Sequence, residues 1–309
     1  MKALYVTQNF KTVEEVKLEC VERPMPKVKK GEVLVRIAAS GINPSDARAT
    51  MGYFPDTQVP RIPGRDFAGV VEGGKKVWGT GGAVGIASDG THAEFAAIPE
   101  AGLAEIPTSM SLLVAGAQPL PYTTAYFGLV TRAHIARGES VLVIGALGQV
   151  GRAAMSICRW KGCTPIALVR KPEEVEEAKK LGWEAYSEIP AALKVDVVLN
   201  SIGNLNWEKQ IGSLKEFGRM VVIAALPGQR EAPLNLFNMY RNNQEIHGIN
   251  TLDLDHAFNA KLLNEMKPGF ESGALIPLTP DPVFSLEDAT TAYKMVLHGS
   301  SGKRVVLQM

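Results

Sequence analysis

The segment Gly145-Ala146-Leu147-Gly148-Gln149-Val150-Gly151 has the residue types and spacing to cradle a phosphate. It follows a continuous apolar run, Ser140-Val141-Leu142-Val143-Ile144, and opens a segment with helical patterning. The physics needs that order. A tight turn after a strand calls for glycine. Backbone amides must approach a pyrophosphate with no side chain between. A helix N-terminus then adds unpaired N–H groups and a partial positive charge. Gly151 lets the helix pack closely. The spacing is G-x-x-G-x-x-G rather than G-x-G-x-x-G, with Ala146 and Leu147 in the middle. The next strand, Ile166-Ala167-Leu168-Val169, bears on the choice of dinucleotide. An acidic residue at its end would accept ribose hydroxyls. Here the strand ends in Arg170-Lys171, and no acid appears until Glu173. A carboxylate repels a 2′-phosphate, whereas a guanidinium binds one as a fork. The pair therefore predicts NADPH over NADH, against the plainer reading of two solvated charges at a helix start. Pro172-Glu173-Glu174 suits a first helical turn under either reading.

The elements that must position this loop read as a repeating series. Strand 140–144 leads to a helix at 149–161, strand 164–169 to a helix at 172–181, and strand 195–200 to a helix at 206–216. A strand at 219–224 closes the run. Such alternation predicts a doubly wound parallel sheet. Before it, residues 111–117 and 123–136 read as helices. The first third is different: short strands at 32–38 and 92–98 lie among Pro and Gly. A hairpin is expected around Gly73-Gly74. The tail holds helices at 254–266 and 286–298 and a last strand at 303–307. Texture alone does not say which half the tail joins.

Composition narrows the function classes. The chain has 309 residues, enough for one large or two ordinary domains. Lys and Arg number 33 against 32 Asp and Glu, so a generally basic nucleic-acid coat is excluded. Cys20, Cys158 and Cys163 form no C-x-x-C pair, which excludes a cysteine-rich zinc lobe. Cys158 and Cys163 read as buried thiols. The Met1-Lys2-Ala3-Leu4-Tyr5-Val6 start alternates like a strand rather than a signal peptide. No run reaches the ~18 apolar residues of a membrane helix. The expected address is the cytoplasm.

Several motifs, in order, resemble the medium-chain dehydrogenase/reductase superfamily, and most closely its zinc-free quinone oxidoreductase branch. They are Gly41-Ile42-Asn43-Pro44-Ser45-Asp46, Ile62-Pro63-Gly64-Arg65-Asp66-Phe67-Ala68-Gly69-Val70-Val71, Leu120-Pro121-Tyr122-Thr123-Thr124-Ala125-Tyr126 and the glycine loop. The resemblance implies an α/β chain of two domains. A GroES-like β-rich catalytic domain would comprise 1–112 with 260–309. A Rossmann NADPH-binding domain would comprise 113–259. Nicotinamide would meet substrate in a cleft between them, and the molecule would be a homodimer.

The departures from the zinc-dependent members are informative. Asn43 stands where they carry a cysteine, and Arg65 where they carry a histidine. Catalytic zinc needs about three His, Cys or carboxylate ligands, so metal is not expected. The chemistry left is hydride delivery from NADPH to a quinone or an α,β-unsaturated carbonyl, with donors aimed at the carbonyl oxygen. The resemblance offers Asn43 as an amide donor and Tyr53 as a proton donor or orienting group; Tyr53 could equally be a loop tyrosine. Ser45 and Asp46 read first as helix caps. Arg65 is expected to pair with Asp66, with attraction of an anionic substrate as the other reading.

Further cofactor contacts are expected at the exposed ends of strands. These are Ser201 and Gly203 in Asn200-Ser201-Ile202-Gly203, then Ala224, Ala225 and Leu226, then Asn250 with Thr251. Each also reads as turn chemistry. Thr124 resembles a family residue near the nicotinamide. Two other functions stay open: a 2-enoyl-thioester reductase and a non-catalytic NADPH-binding protein. Neither nucleic acid nor membrane is an expected partner.

Overall fold

The computed structural model describes every residue except Asn204, Leu226, Pro227, Gln229, Ser300 and Ser301. Contacts divide the chain into two compact units. One contains Met1–Thr123, Thr251–Gly273 and Pro277–Met309; the other contains Thr124–Asn250 and Ala274–Ile276.

The second unit is built on six strands. They are β1 (Ser140–Ile144), β2 (Thr164–Leu168), β3 (Glu184–Tyr186), β4 (Val195–Asn200), β5 (Leu214–Val222) and β6 (Glu245–Gly248). Their spatial order is β3-β2-β1-β4-β5-β6, and every pairing is parallel. The central strands are buried on both faces, which explains the unbroken apolar run in β1. Leu142, Ile144, Ile166, Val198 and Met220 share one core cluster. Strand order reverses between β1 and β4, the place where a doubly wound sheet opens a crevice for ligand.

Two helices of this unit begin beside that crevice: α1 (Gln149–Trp160) follows β1 and α2 (Pro172–Lys180) follows β2. Three predicted boundaries move. The helix expected over 206–216 ends at Gly212, where the Ser213 N–H turns back to the Lys209 and Gln210 carbonyls. The chain enters β5 at once, five residues before the strand expected at 219. The helix expected over 123–136 is α-wound only over Pro119–Tyr126 and π-wound over Phe127–Arg132.

The first unit holds a seven-stranded sheet. Its central strand, Glu32–Gly41, pairs antiparallel with Phe67–Val71, Phe95–Pro99 and Arg304–Gln308. Phe67–Val71 and Lys76–Gly79 form the expected hairpin around Gly73 and Gly74. The C-terminal strand lies against Ala39–Gly41, so the tail returns to the N-terminal sheet. A short helix, Pro44–Ala49, starts directly after the central strand. All three cysteines are free, and Cys158 and Cys163 are buried as expected. Among the described residues no helix is long and apolar enough to cross a membrane.

Candidate active site

The glycine loop sits at the carboxyl end of β1. Gly145 has φ +78°, which favours glycine. A Cβ there would lie 2.6 Å from Ser201 Oγ. A Cβ on Gly151 would lie 2.2 Å from the Gly145 carbonyl oxygen, so a larger residue would drive α1 away from the turn. Gly148 caps α1, and its carbonyl accepts the Arg152 N–H at 2.8 Å. The preceding N–H groups of the first turn belong to the helix end that attracts anions.

The other sequence-predicted cofactor residues largely gather at the same edge of the sheet. Ser201 follows β4 and donates its hydroxyl to the Ile144 carbonyl at 2.7 Å. Gly203, at φ +121°, is closed by Asn200: its N–H donates to Asn200 Oδ1 at 2.8 Å, and its carbonyl accepts from Asn200 Nδ2 at 2.7 Å. Its backbone groups are therefore already used in a local turn. Ala224 and Ala225 follow β5, and Asn250 follows β6. Leu226 lies outside the described residues. Thr124 is buried inside the helix Pro119–Tyr126.

Arg170 and Lys171 lie just beyond β2, whose Leu168 carbonyl accepts the Gly145 N–H at 3.0 Å. The pair is thus tied to the phosphate loop by sheet register. Arg170 has a side chain 66% exposed, and its Nη2 is 3.5 Å from Glu174. Glu174 also accepts the Arg170 and Lys171 N–H groups at the start of α2. At that separation and with the Arg170 side chain largely exposed, the pair is weak.

In the first unit the motif residues form a buried charged network. Asn43 is fully engaged. Its Nδ2 donates to Asp46 and Asp66, each at 2.9 Å, and its Oδ1 accepts from Arg304 Nη1 at 3.1 Å. Both amide hydrogens are spent, so no donor remains for a substrate. Asp46 caps the helix Pro44–Ala49 by accepting the Asn43 N–H at 2.9 Å. Ser45 does not cap; its oxygen accepts from Arg65 Nη2.

The expected Arg65–Asp66 pair is corrected. Arg65 Nε bonds Asp46 at 3.2 Å, and Asp66 is held by Arg304 Nη2 at 2.6 Å. Adjacent residues entering a strand project to opposite sides, so neighbours in sequence do not meet. Burial pushes the Asp66 carboxyl up and the Arg304 guanidinium down, and each is opposed by the other's charge. Asp66 Oδ1 also accepts the Leu120 N–H at 2.9 Å, tying the Leu120-Pro121-Tyr122 motif to the network.

Tyr53 sits on the loop after this helix, 48% exposed. The Arg48 guanidinium lies 5.7 Å from its ring centroid, and Phe54 packs edge-on at 5.3 Å.

Sequence reasoning missed Arg304 and the His92–Tyr293 pair. Arg304 reads as one charge at the start of a strand. No sequence pattern links it to Gly41, whose missing side chain makes room for the Arg304 guanidinium in the structure. His92 is fully buried, shares a 2.8 Å hydrogen bond with the Tyr293 hydroxyl, and is pulled down to about 4 by burial.

Residues 29–108 match the family model of an alcohol dehydrogenase GroES-like domain, and residues 150–267 that of a zinc-binding dehydrogenase. A zinc-type alcohol dehydrogenase-like protein of Schizosaccharomyces pombe is 36% identical over 266 residues, covering 83% of this chain and 81% of that protein. The chain belongs to the medium-chain dehydrogenase/reductase superfamily and is quinone oxidoreductase-like. Within this superfamily it is 29% identical to a 2-methylene-furan-3-one reductase of Solanum lycopersicum, over 99% of this chain and 79% of that one. A quinone oxidoreductase from Thermus thermophilus, also solved in complex with NADPH, superposes with a TM-score of 0.83. The two are 29% identical, and all of both chains is covered.

The zinc in the family description can be tested against the residues present. At the motif positions stand an amide and a guanidinium, and both neighbouring carboxylates are bound by arginine. No group of three His, Cys, Asp or Glu side chains suited to a metal occurs among the described residues. This donor set does not fit a catalytic zinc site.

Proposed function

We propose that this oxidoreductase is a zinc-independent reductase that uses NADPH to reduce a quinone or an α,β-unsaturated carbonyl. The observation that carries the cofactor assignment is the placement of Arg170 and Lys171 one short step beyond the strand that hydrogen-bonds the glycine loop. A ribose 2′-phosphate would lie within reach of a forked cation, and the carboxylate found there, that of Glu174, is occupied by the Arg170 and Lys171 N–H groups at the start of α2. Gly145, Ala146, Leu147, Gly148, Gln149, Val150 and Gly151 would hold the pyrophosphate. Ser201, Gly203, Ala224, Ala225, Asn250 and Thr124 would complete the cofactor site. The NADPH bound to the Thermus relative agrees with this reading.

When bound, the dinucleotide supplies a hydride. The chain's own residues orient the acceptor and manage the charge that appears on its oxygen. Tyr53 is assigned the proton delivery, because its loop position and exposed ring leave the hydroxyl open to substrate and solvent. Asn43 is assigned a positioning role, since its amide is committed to Asp46, Asp66 and Arg304.

Calorimetric titration with NADPH and NADH, followed by turnover with a quinone and an enone, tests the proposal. Tight NADPH binding, weak NADH binding and NADPH consumption are expected. Preferential NADH binding would overturn the cofactor assignment, and binding of neither would overturn the reductase reading.

A further inference from the structure

A groove of about 530 Å3 lies on the first unit. That volume falls in the range of small-molecule sites, about 300–1,000 Å3. All of its lining residues belong to the first unit, and none is assigned above to the cofactor or to proton transfer.

The floor comes from the strand Phe95–Pro99. Side chains alternate along a strand, so Ala96 and Ile98 enter the core while Phe95, Ala97 and Pro99 face the groove. Ile62 and Val84 extend this apolar floor.

Another wall is an extended strap, Arg23-Pro24-Met25-Pro26-Lys27-Val28-Lys29. Two prolines restrict its backbone, and both ends are tied down. The Arg23 N–H donates to the Met1 carbonyl at 2.8 Å, and the Lys29 N–H donates to Glu32 Oε2 at 2.9 Å. A wall ordered in advance loses little freedom when a ligand arrives.

The charge along the groove is one-sided. Arg23, Lys27 and Lys29 line it, against the acids Glu32 and Asp89. Both acids are turned to backbone: Glu32 accepts the Lys29 N–H, and Asp89 Oδ1 accepts the Ile62 N–H at 2.8 Å. Lys27 and Lys29 are exposed, and among the described residues their ammoniums make no ion pair. An apolar floor beside such cations suits a ligand with an alkyl chain and one anionic end. Burial of methylenes supplies the affinity, and the ammoniums select the sign of the charge.

We propose that this groove binds a medium-chain alkyl carboxylate. Its chain lies along Phe95, Ala97 and Pro99, and its carboxylate meets Lys27 and Lys29.

Calorimetric titration with dodecanoate, below its micelle concentration and without NADPH, tests this independently of any turnover. One saturable site is expected. Hexanoate should bind at least about tenfold more weakly, since each buried methylene contributes about fourfold. Dodecyltrimethylammonium should show no saturable binding. Lys27→Gln/Lys29→Gln should weaken dodecanoate binding about three- to tenfold, and high salt should remove the difference from wild type. Phe95→Ser should weaken it about tenfold. Thermal unfolding of each ligand-free variant confirms its fold, and the lysine pair, on the exposed strap, decides the matter if Phe95→Ser unfolds.

Equal affinity for dodecanoate and dodecyltrimethylammonium would mean unspecific apolar capture and would overturn the proposal. Equal affinity for hexanoate, or unchanged binding in Lys27→Gln/Lys29→Gln, overturns it too. Cosedimentation with phosphatidylglycerol vesicles in place of saturable dodecanoate binding would assign these cations to a lipid surface and also overturn it.

Discussion

At the scale of single residues, cofactor choice and acid stability each rest on one side chain. Arg170→Asp would place a carboxylate where the 2′-phosphate is proposed to sit. It should weaken NADPH binding about ten- to a hundredfold and favour NADH, read by calorimetry; an unchanged preference would remove Arg170 from the site. His92 carries the pH dependence. Its folded-state value is held near 4 by burial, whereas a free imidazole titrates near 6.5. The unfolded chain therefore takes up the proton first. Stability is complete above about pH 6.5 and is lost as the pH falls toward 4, by up to roughly 3 kcal/mol. His92→Gln should flatten urea-unfolding free energy across that window. Residue types were legible in the sequence here, but their partners were not. Asn43 could be singled out as a donor, yet the groups that consume its amide are Asp46, Asp66 and Arg304. Arg304 lies at the far end of the chain. No local pattern announces it, so the loss of Asn43 as a free donor appears only once the tail is in place.

At the scale of elements, the phosphate loop was the most legible feature, because a strand, a glycine turn and a helix are contiguous and each constrains the next. The turn works by fit. Gly151→Ala would push a methyl to within 2.2 Å of the Gly145 carbonyl oxygen, and backbone cannot move aside cheaply. It should cost about 1–3 kcal/mol and weaken NADPH binding with it. Thermal unfolding and a fluorescence titration of the same variant check both effects. Strand–helix alternation gave the parallel sheet, and the buried apolar run gave its centre. Helix ends were read less well. The expected helix over 206–216 overran because Trp207, Ile211 and Leu214 are spaced like one face of a helix. The stop at Gly212–Ser213 depends on capping bonds from Ser213 to Lys209 and Gln210. The long helix expected over 123–136 changes winding at Phe127, which a periodicity of 3.6 does not distinguish from a continuous helix.

At the scale of the whole molecule, the first unit depends on residues from both ends of the chain. The strand Arg304–Gln308 pairs with Ala39–Gly41 and delivers Arg304 to Asp66 and Asn43. Removing that cation would leave the Asp66 carboxyl buried without its partner. Arg304→Met should destabilise the protein by about 3–5 kcal/mol, seen in chemical denaturation as a lower midpoint with an unchanged slope. Texture showed that the tail contains two helices and a strand, but long-range pairing gave it its place. The two-part α/β architecture was legible through the order of its motifs, since each short motif is modest and their sequence is specific. The central claim is metal-independent hydride transfer from NADPH, and one measurement addresses it most directly. NADPH consumption with a quinone and with an enone should be followed in chelator-dialysed protein, before and after adding zinc, with NADH as the control. The account predicts consumption with NADPH well above NADH and no gain from zinc. Activity that appears only on adding zinc, or a rate with NADH equal to that with NADPH, would contradict it.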